Sequence, residues 1–150
     1  MFQLTEKKNF PTTTVIVACI LVFFAGYLIS GNQKSTIVEE TTVINYGSYY
    51  RYSFTCSTGA EVSFDIRVTN GRPIDIYVVD SGDYGDFVSM MSSSGGAFSS
   101  IISKKNTLGS KFDITAPSSD TYYLLLNNAG GVQGGATPIG DVSVFVKVIG

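Results

Sequence analysis

The 150 residues carry a formal net charge of −2, two cysteines and no histidine, which is enough chain for one ordinary domain and not two. The lack of histidine removes the commonest general base and the commonest metal ligand together. From Ser35 onward seven Lys or Arg face eleven Asp or Glu, about −4, and that balance excludes the basic patch nucleic acid requires.

The chain begins with a polar segment, residues 1–11, that carries Lys7 and Lys8. Thr12 to Ser30 then contains no charge. Nineteen helical residues span about 28 Å, close to the hydrocarbon thickness of a bilayer. We therefore expect a membrane-spanning signal-anchor helix over residues 12–31, with Thr12, Val15, Cys19, Phe23, Phe24, Tyr27 and Ser30 along it. Pro11 suits its first turn, Gly31 and Asn32 its end, and Tyr27 an interfacial belt. Two lysines before the span and only Lys34 after it place the N-terminus in the cytoplasm and the rest of the chain outside. Two other readings compete. A cleaved signal peptide would use the poor site Ile29-Ser30-Gly31. A pilin-like N-terminus would pack in a filament, although no Gly or Ala follows the basic pair.

Residues 32–35 read as a linker, and residues 36–150 as an all-β domain rich in Val, Ile, Thr, Tyr and Phe. Thr36 to Ile44 is β-rich but two-faced, as an edge strand would be. Asn45 to Gly47 turns. Ser48 to Cys56 alternates, with Tyr50, Tyr52 and Phe54 on one face and Cys56 a small buried hydrophobe. Ala60 to Thr69 alternates most cleanly, with Val62, Phe64, Ile66 and Val68 together, so a one-residue slip would expose all four. Asn70-Gly71 is a hairpin signal. After Pro73, the residues Ile74, Ile76 and Val78 share a face.

From Ser81 to Asn106 the pattern dissolves. Ser81 to Gly85 reads as a loop and Phe87 to Met91 as a strand or a turn of helix. Ala97 to Ser103 is apolar and ends at Lys104-Lys105-Asn106. The whole stretch is expected to cross between sheets. Phe112, Ile114 and Ala116 alternate again, and Pro117 to Asp120 turns. Thr121 to Asn127 is apolar almost throughout, as a central strand would be. Ala129 to Gly140 reads as a long mobile loop. Val142, Val144, Val146 and Val148 line the last strand. Seven or eight short strands with turns between them point to an antiparallel β-sandwich of jelly-roll type.

Tyr49-Tyr50-Arg51-Tyr52-Ser53-Phe54, Pro73-Ile-Asp-Ile-Tyr-Val-Val-Asp80 and Phe112-Asp-Ile-Thr-Ala-Pro-Ser-Ser-Asp-Thr-Tyr-Tyr-Leu-Leu-Leu-Asn-Asn128 together resemble the bacterial and archaeal pre-peptidase C-terminal domain. That family is related in shape to the Golgi-dynamics and emp24-type β-sandwich. The resemblance covers roughly residues 45 to 149, and Ser118-Ser119-Asp120 stands where the family usually has a Gly before its Thr-Tyr pair. It implies a jelly-roll-like sandwich with a non-catalytic binding or structural role, and it brings no catalytic residues.

The candidate sites are few. Asp80, Asp83 and Asp86 are spaced three apart around Gly82 and Gly85, an oxygen-rich arrangement of the kind that can hold a calcium ion, though the spacing is not that of an EF-hand and a solvated acidic turn is the preferred reading. Gly130, Gly131, Gly134 and Gly135 lack the Lys-Ser or Lys-Thr of a phosphate loop and read as a contact loop. Tyr49 and Tyr122 are candidate interface anchors. Ser103-Lys104 has no supporting shell for a nucleophile. The expectation is a non-enzymatic interaction module without a cofactor. Its partners would be membrane lipid through the helix and another membrane or surface protein through the domain. The alternative is a self-assembling subunit of a surface filament or layer.

Overall fold

The computed structural model describes residues 34–92 and 96–150. The expected span 12–31, with every residue named on it, lies outside the described residues. Among the described residues no helix is long and apolar enough to cross a membrane.

The elements run β1 (Thr36–Ile44), β2 (Tyr49–Cys56), β3 (Glu61–Asn70), β4 (Ile74–Val79), α1 (Ser81–Ser92), β5 (Ile102–Thr107), β6 (Gly109–Thr115), β7 (Asp120–Asn127) and β8 (Val142–Ile149). Two four-stranded sheets form, in the orders β1-β8-β3-β6 and β2-β7-β4-β5, and every pairing is antiparallel. Strand one pairs with eight, two with seven, three with six and four with five. This is a long hairpin of strand pairs wound into a sandwich, the jelly-roll order.

Alternation decides what is buried between the sheets. Val62, Phe64 and Ile66 of β3 face Tyr52, Phe54, Tyr122, Leu124 and Ile76 of the second sheet, and β8 contributes all four of its alternate valines. Burying each such side chain is worth about 1.5–3 kcal/mol. Cys56 joins this core, and burial pushes its thiol above the ordinary range, so it serves as a small hydrophobe. β1 lies at a sheet edge with Glu39, Glu40 and Thr41 exposed.

The outer faces of the two sheets differ. That of the first sheet is polar, carrying Lys147–Glu39 at 2.8 Å and Lys111–Asp65 at 3.0 Å. That of the second sheet is covered by α1, and Tyr77, Val79 and Leu125 form a second core with Phe87. Strands β4 and most of β7 are therefore buried on both faces, which explains their unbroken apolar runs.

Four expectations need correction. Ser81 to Gly85 is not a loop but the first half of α1. Gly82 and Gly85 each lower helix propensity by about 1 kcal/mol. Against that, the Asp80 carboxylate caps the helix, accepting the Asp83 amide at 2.9 Å, and Phe87 is fully buried. Tertiary packing outweighs propensity here.

Lys104-Lys105-Asn106 does not end a segment but lies within β5, at the edge of the second sheet. Lysines suit such an edge because they discourage further strand pairing.

The long stretch between β4 and β5 does not cross sheets, since those two strands pair directly. The crossing occurs at Leu108-Gly109. There the Leu108 carbonyl accepts the Val68 amide at 2.8 Å. Gly109 has φ +150°, and a Cβ on it would stand 2.4 Å from the Ile66 carbonyl oxygen.

Asn70-Gly71 turns the chain but closes no hairpin. β3 pairs with β6 and β8, and β4 with β5 and β7, so this is another corner between sheets.

Candidate interaction surface

The Gly-rich segment is held by a buried carboxylate. Asp75 is inaccessible to solvent although β4 is otherwise apolar. Its Oδ1 accepts the Ala136 amide at 2.6 Å and the Asn106 amide at 2.8 Å, and its Oδ2 meets Asn127 Nδ2 at 3.5 Å. Asn106 takes a positive φ of 51° to present that amide. Gly135 sits so close that a Cβ there would be 2.4 Å from Asp75 Oδ2.

Around this anchor Gly130 accepts from Asn127 Nδ2 at 3.3 Å, and the Gln133 carbonyl accepts from Lys105 Nζ at 2.9 Å. Asn128 Nδ2 donates to the carbonyls of Gly140 at 2.9 Å and Ile44 at 3.2 Å. The loop expected to be mobile is thus fastened along its length. Gly130 and Gly135 serve its packing, while Gly131 and Gly134 lie exposed beside them.

The two candidate tyrosines fare differently. Tyr122 is fully buried, which corrects its reading as an interface anchor. In a continuous apolar run nothing in the pattern says which of Tyr122 and Tyr123 faces inward. Tyr122 Oη donates to the Ser118 carbonyl at 2.7 Å and fixes the turn before β7. Tyr49 is half-buried, edge-on to Phe87 at 5.0 Å between ring centroids. Burial first, and then the neighbouring Tyr84, push its phenol up to about 12. Beside it Tyr84 stacks on Tyr123 at 4.2 Å, and the exposed Arg51 guanidinium lies over Tyr84 at 5.1 Å.

The three aspartates do not gather. Asp80 caps α1, Asp83 Oδ1 accepts the Ser99 amide at 3.3 Å, and Asp86 is exposed one turn further on. Among the described residues no group of three or more His, Cys, Asp or Glu is placed to hold a metal ion.

The four most exposed large apolar side chains among the described residues gather at one end of the sandwich. Val43, Tyr46, Leu108 and Ile139 are 56%, 61%, 60% and 66% exposed. The domain begins at the other end, where the Ser35 amide donates to the Gly150 carbonyl at 2.6 Å and Lys34 pairs with Glu61 at 3.5 Å. The nine residues of β1 carry the chain about 30 Å from there to Ile44. Corners 45–48 and 107–109 and the loop 128–141 share that far end. Asp141 accepts the Tyr46 amide at 2.8 Å and the Asn128 carbonyl accepts the Gly47 amide at 3.1 Å, so the Tyr46 turn and the segment bearing Ile139 form one stitched unit. Sequence reasoning passed over Val43 and Ile139. The available signal was an apolar side chain out of phase with its strand at Val43, and one isolated in a Gly-Pro loop at Ile139.

No protein-family model matches the chain, and no curated protein is similar to it. Among solved structures, it is similar to the periplasmic inhibitor of g-type lysozyme, PliG, from Aeromonas hydrophila, at 11% identity and TM-score 0.49 over 82% of this chain and 93% of that one. It is also similar to the Yersinia pseudotuberculosis-derived mitogen, at 9% identity and TM-score 0.48 over 77% and 86%. The pre-peptidase C-terminal domain of collagenase from Bacillus anthracis matches at 12% identity and TM-score 0.41 over 74% and 89%. Similarities this low leave the fold to rest on the chain's own strand order.

Proposed function

We propose that this chain is a non-enzymatic, membrane-anchored interaction module. In this reading residues 12–31 stay in the bilayer with the N-terminus cytoplasmic, and the β-sandwich outside contacts another protein of a membrane complex or cell surface. The observation that carries it is the position of Val43, Tyr46 and Ile139, exposed at the end of the domain opposite Ser35. Exposed apolar and aromatic side chains on a hydrogen-bonded scaffold make effective contact residues. The resemblance of residues 45 to 149 to the pre-peptidase C-terminal domain supports a binding role over a catalytic one.

A photo-crosslinking residue placed at Tyr46 in native membranes tests this reading. An adduct with one other protein is expected from position 46 and none from Thr58 at the opposite end. Equal labelling from both positions, or none from either, contradicts it. An adduct at twice the chain's own mass would instead support the self-assembling structural subunit.

A further inference from the structure

The strand order of the first sheet, β1-β8-β3-β6, sets the order of side chains across the exposed end of the sandwich. The corners joined to those strands carry, in turn, Tyr46, Ile139, Arg72 and Leu108. Gly71 packs the corner of Arg72 against the start of β8, and a Cβ there would stand 2.7 Å from Val142 Cγ1. At about 4.8 Å between neighbouring strands the row is about 15 Å across. Tyr46, Ile139 and Leu108 are exposed apolar or aromatic side chains, and Arg72 is a cation set among them.

Arg72 is exposed and enters no ion pair or hydrogen bond among the described residues. Asp141, the one carboxylate in these corners, is engaged by the Tyr46 amide at 2.8 Å. Beside Leu108 an open groove of about 470 Å³ runs past Arg67 and Lys111. A single carboxylate serves both cations, with Asp65 3.3 Å from Arg67 Nε and 3.0 Å from Lys111 Nζ, so the groove is left with positive charge in excess. The Arg67 guanidinium lies over the Phe145 ring at 4.5 Å, which helps to hold it in place. The opposite end of the domain has the reverse balance, with Glu61, Asp80 and Asp120 there against Lys34.

We infer that the partner of the interaction module, on whose reading this rests, meets the row with an extended acidic segment of about five residues. One carboxylate takes the planar fork of Arg72, whose donors match it in pairs. A second sits at the groove of Arg67 and Lys111, and the apolar side chains of the segment lie against Tyr46, Leu108 and Ile139. The acidic opposite end repels such a segment, so charge selects the end as well as the partner. An anionic lipid surface is a poorer match, because it is met by several cations together, whereas Arg72 is the single cation of the row and has Asp141 beside it.

A photo-crosslinking residue at Leu108, in the full chain in native membranes, tests this through the composition of the peptide it captures. That peptide is expected to carry more Asp and Glu than Lys and Arg. Arg72→Glu should lower the adduct yield roughly tenfold. Lys34→Glu, the same charge change at the opposite end, should leave the yield as it was. Both side chains are exposed, so neither variant should shift thermal unfolding by more than a few degrees. Raising the ionic strength from about 0.05 to about 0.5 M should lower the wild-type yield severalfold.

A captured peptide without an acidic excess, or equal yields from the wild type and Arg72→Glu, overturns the inference and leaves the interaction module standing. A labelled lipid, or a peptide from a second copy of this chain, also rules out the acidic partner. No adduct from Leu108 or from Tyr46 removes both readings.

Discussion

Asp75 Oδ1 accepts the Ala136 amide at 2.6 Å, across 61 residues of sequence and with no access to solvent. This contact turns a loop of glycines into a fixed surface. It also ties the loop to β5, because the Asn106 amide shares the same oxygen.

Asp75→Ala is therefore expected to cost about 2–4 kcal/mol, since the buried Ala136 amide and the part-buried Asn106 amide lose their acceptor at once. Denaturant unfolding measures the loss, and hydrogen exchange at Ala136 should accelerate more than exchange in β3. Gly135→Ala should act in the same direction by about 1–3 kcal/mol, because its methyl group collides with the Asp75 carboxylate. An Asp75→Ala variant with unchanged exchange at Ala136 would show that the loop is held by something else.

Phe87 is the fully buried residue of α1 in the second core, meeting Tyr49, Tyr77 and Phe98. Phe87→Ala should cost about 3–5 kcal/mol and weaken the helical part of the circular-dichroism spectrum. Asp80→Ala removes only the cap and should cost about 1 kcal/mol.

Alkaline stability follows from the buried phenols. Tyr49 is pushed up to about 12 by burial and Tyr84. Tyr52 is raised beyond that range by burial, and then by donating to Glu40 Oε1 at 2.9 Å across the two sheets. A raised value means the folded chain holds these protons more tightly than the unfolded one, whose phenols release them near pH 10. Their contribution is complete below about pH 10 and falls as pH rises towards about 12. Urea unfolding across that range should show the decline, and Tyr49→Phe with Tyr52→Phe should flatten it. At neutral pH Tyr52→Phe should cost about 1 kcal/mol, the value of one hydrogen bond.

The proposed anchor makes its own prediction. The full chain should stay with membranes through an alkaline wash, and external protease should remove the domain. A mature polypeptide free in the medium, starting at or after Asn32, would replace the anchor with a cleaved signal peptide.

Much of the sandwich could be read in advance, for a physical reason. Val62, Phe64 and Ile66, and the four valines of β8, sit in strands with one buried face, so a period of two appears in the sequence. That reading fails where burial is two-sided or absent. In β7 both faces are covered, so the phase of Tyr122 against Tyr123 is invisible. β5 is an exposed edge, so Lys104 and Lys105 look like a loop. α1 was hidden by Gly82 and Gly85, because its stability comes from Phe87 and not from propensity. Asp75 gave no warning either: its partners Asn106, Asn127 and Ala136 lie far along the chain, and only the folded topology brings them together.

The interaction end is tested most directly by co-purification from native membranes in mild detergent, comparing the wild-type chain with a Tyr46→Glu, Ile139→Glu double variant. Both side chains are more than half exposed, so the variant should fold with a change of no more than about 0.5 kcal/mol at each site. Loss of a partner that the wild type retains is the predicted result. The same partner retained in the same amount by the folded double variant would contradict the account.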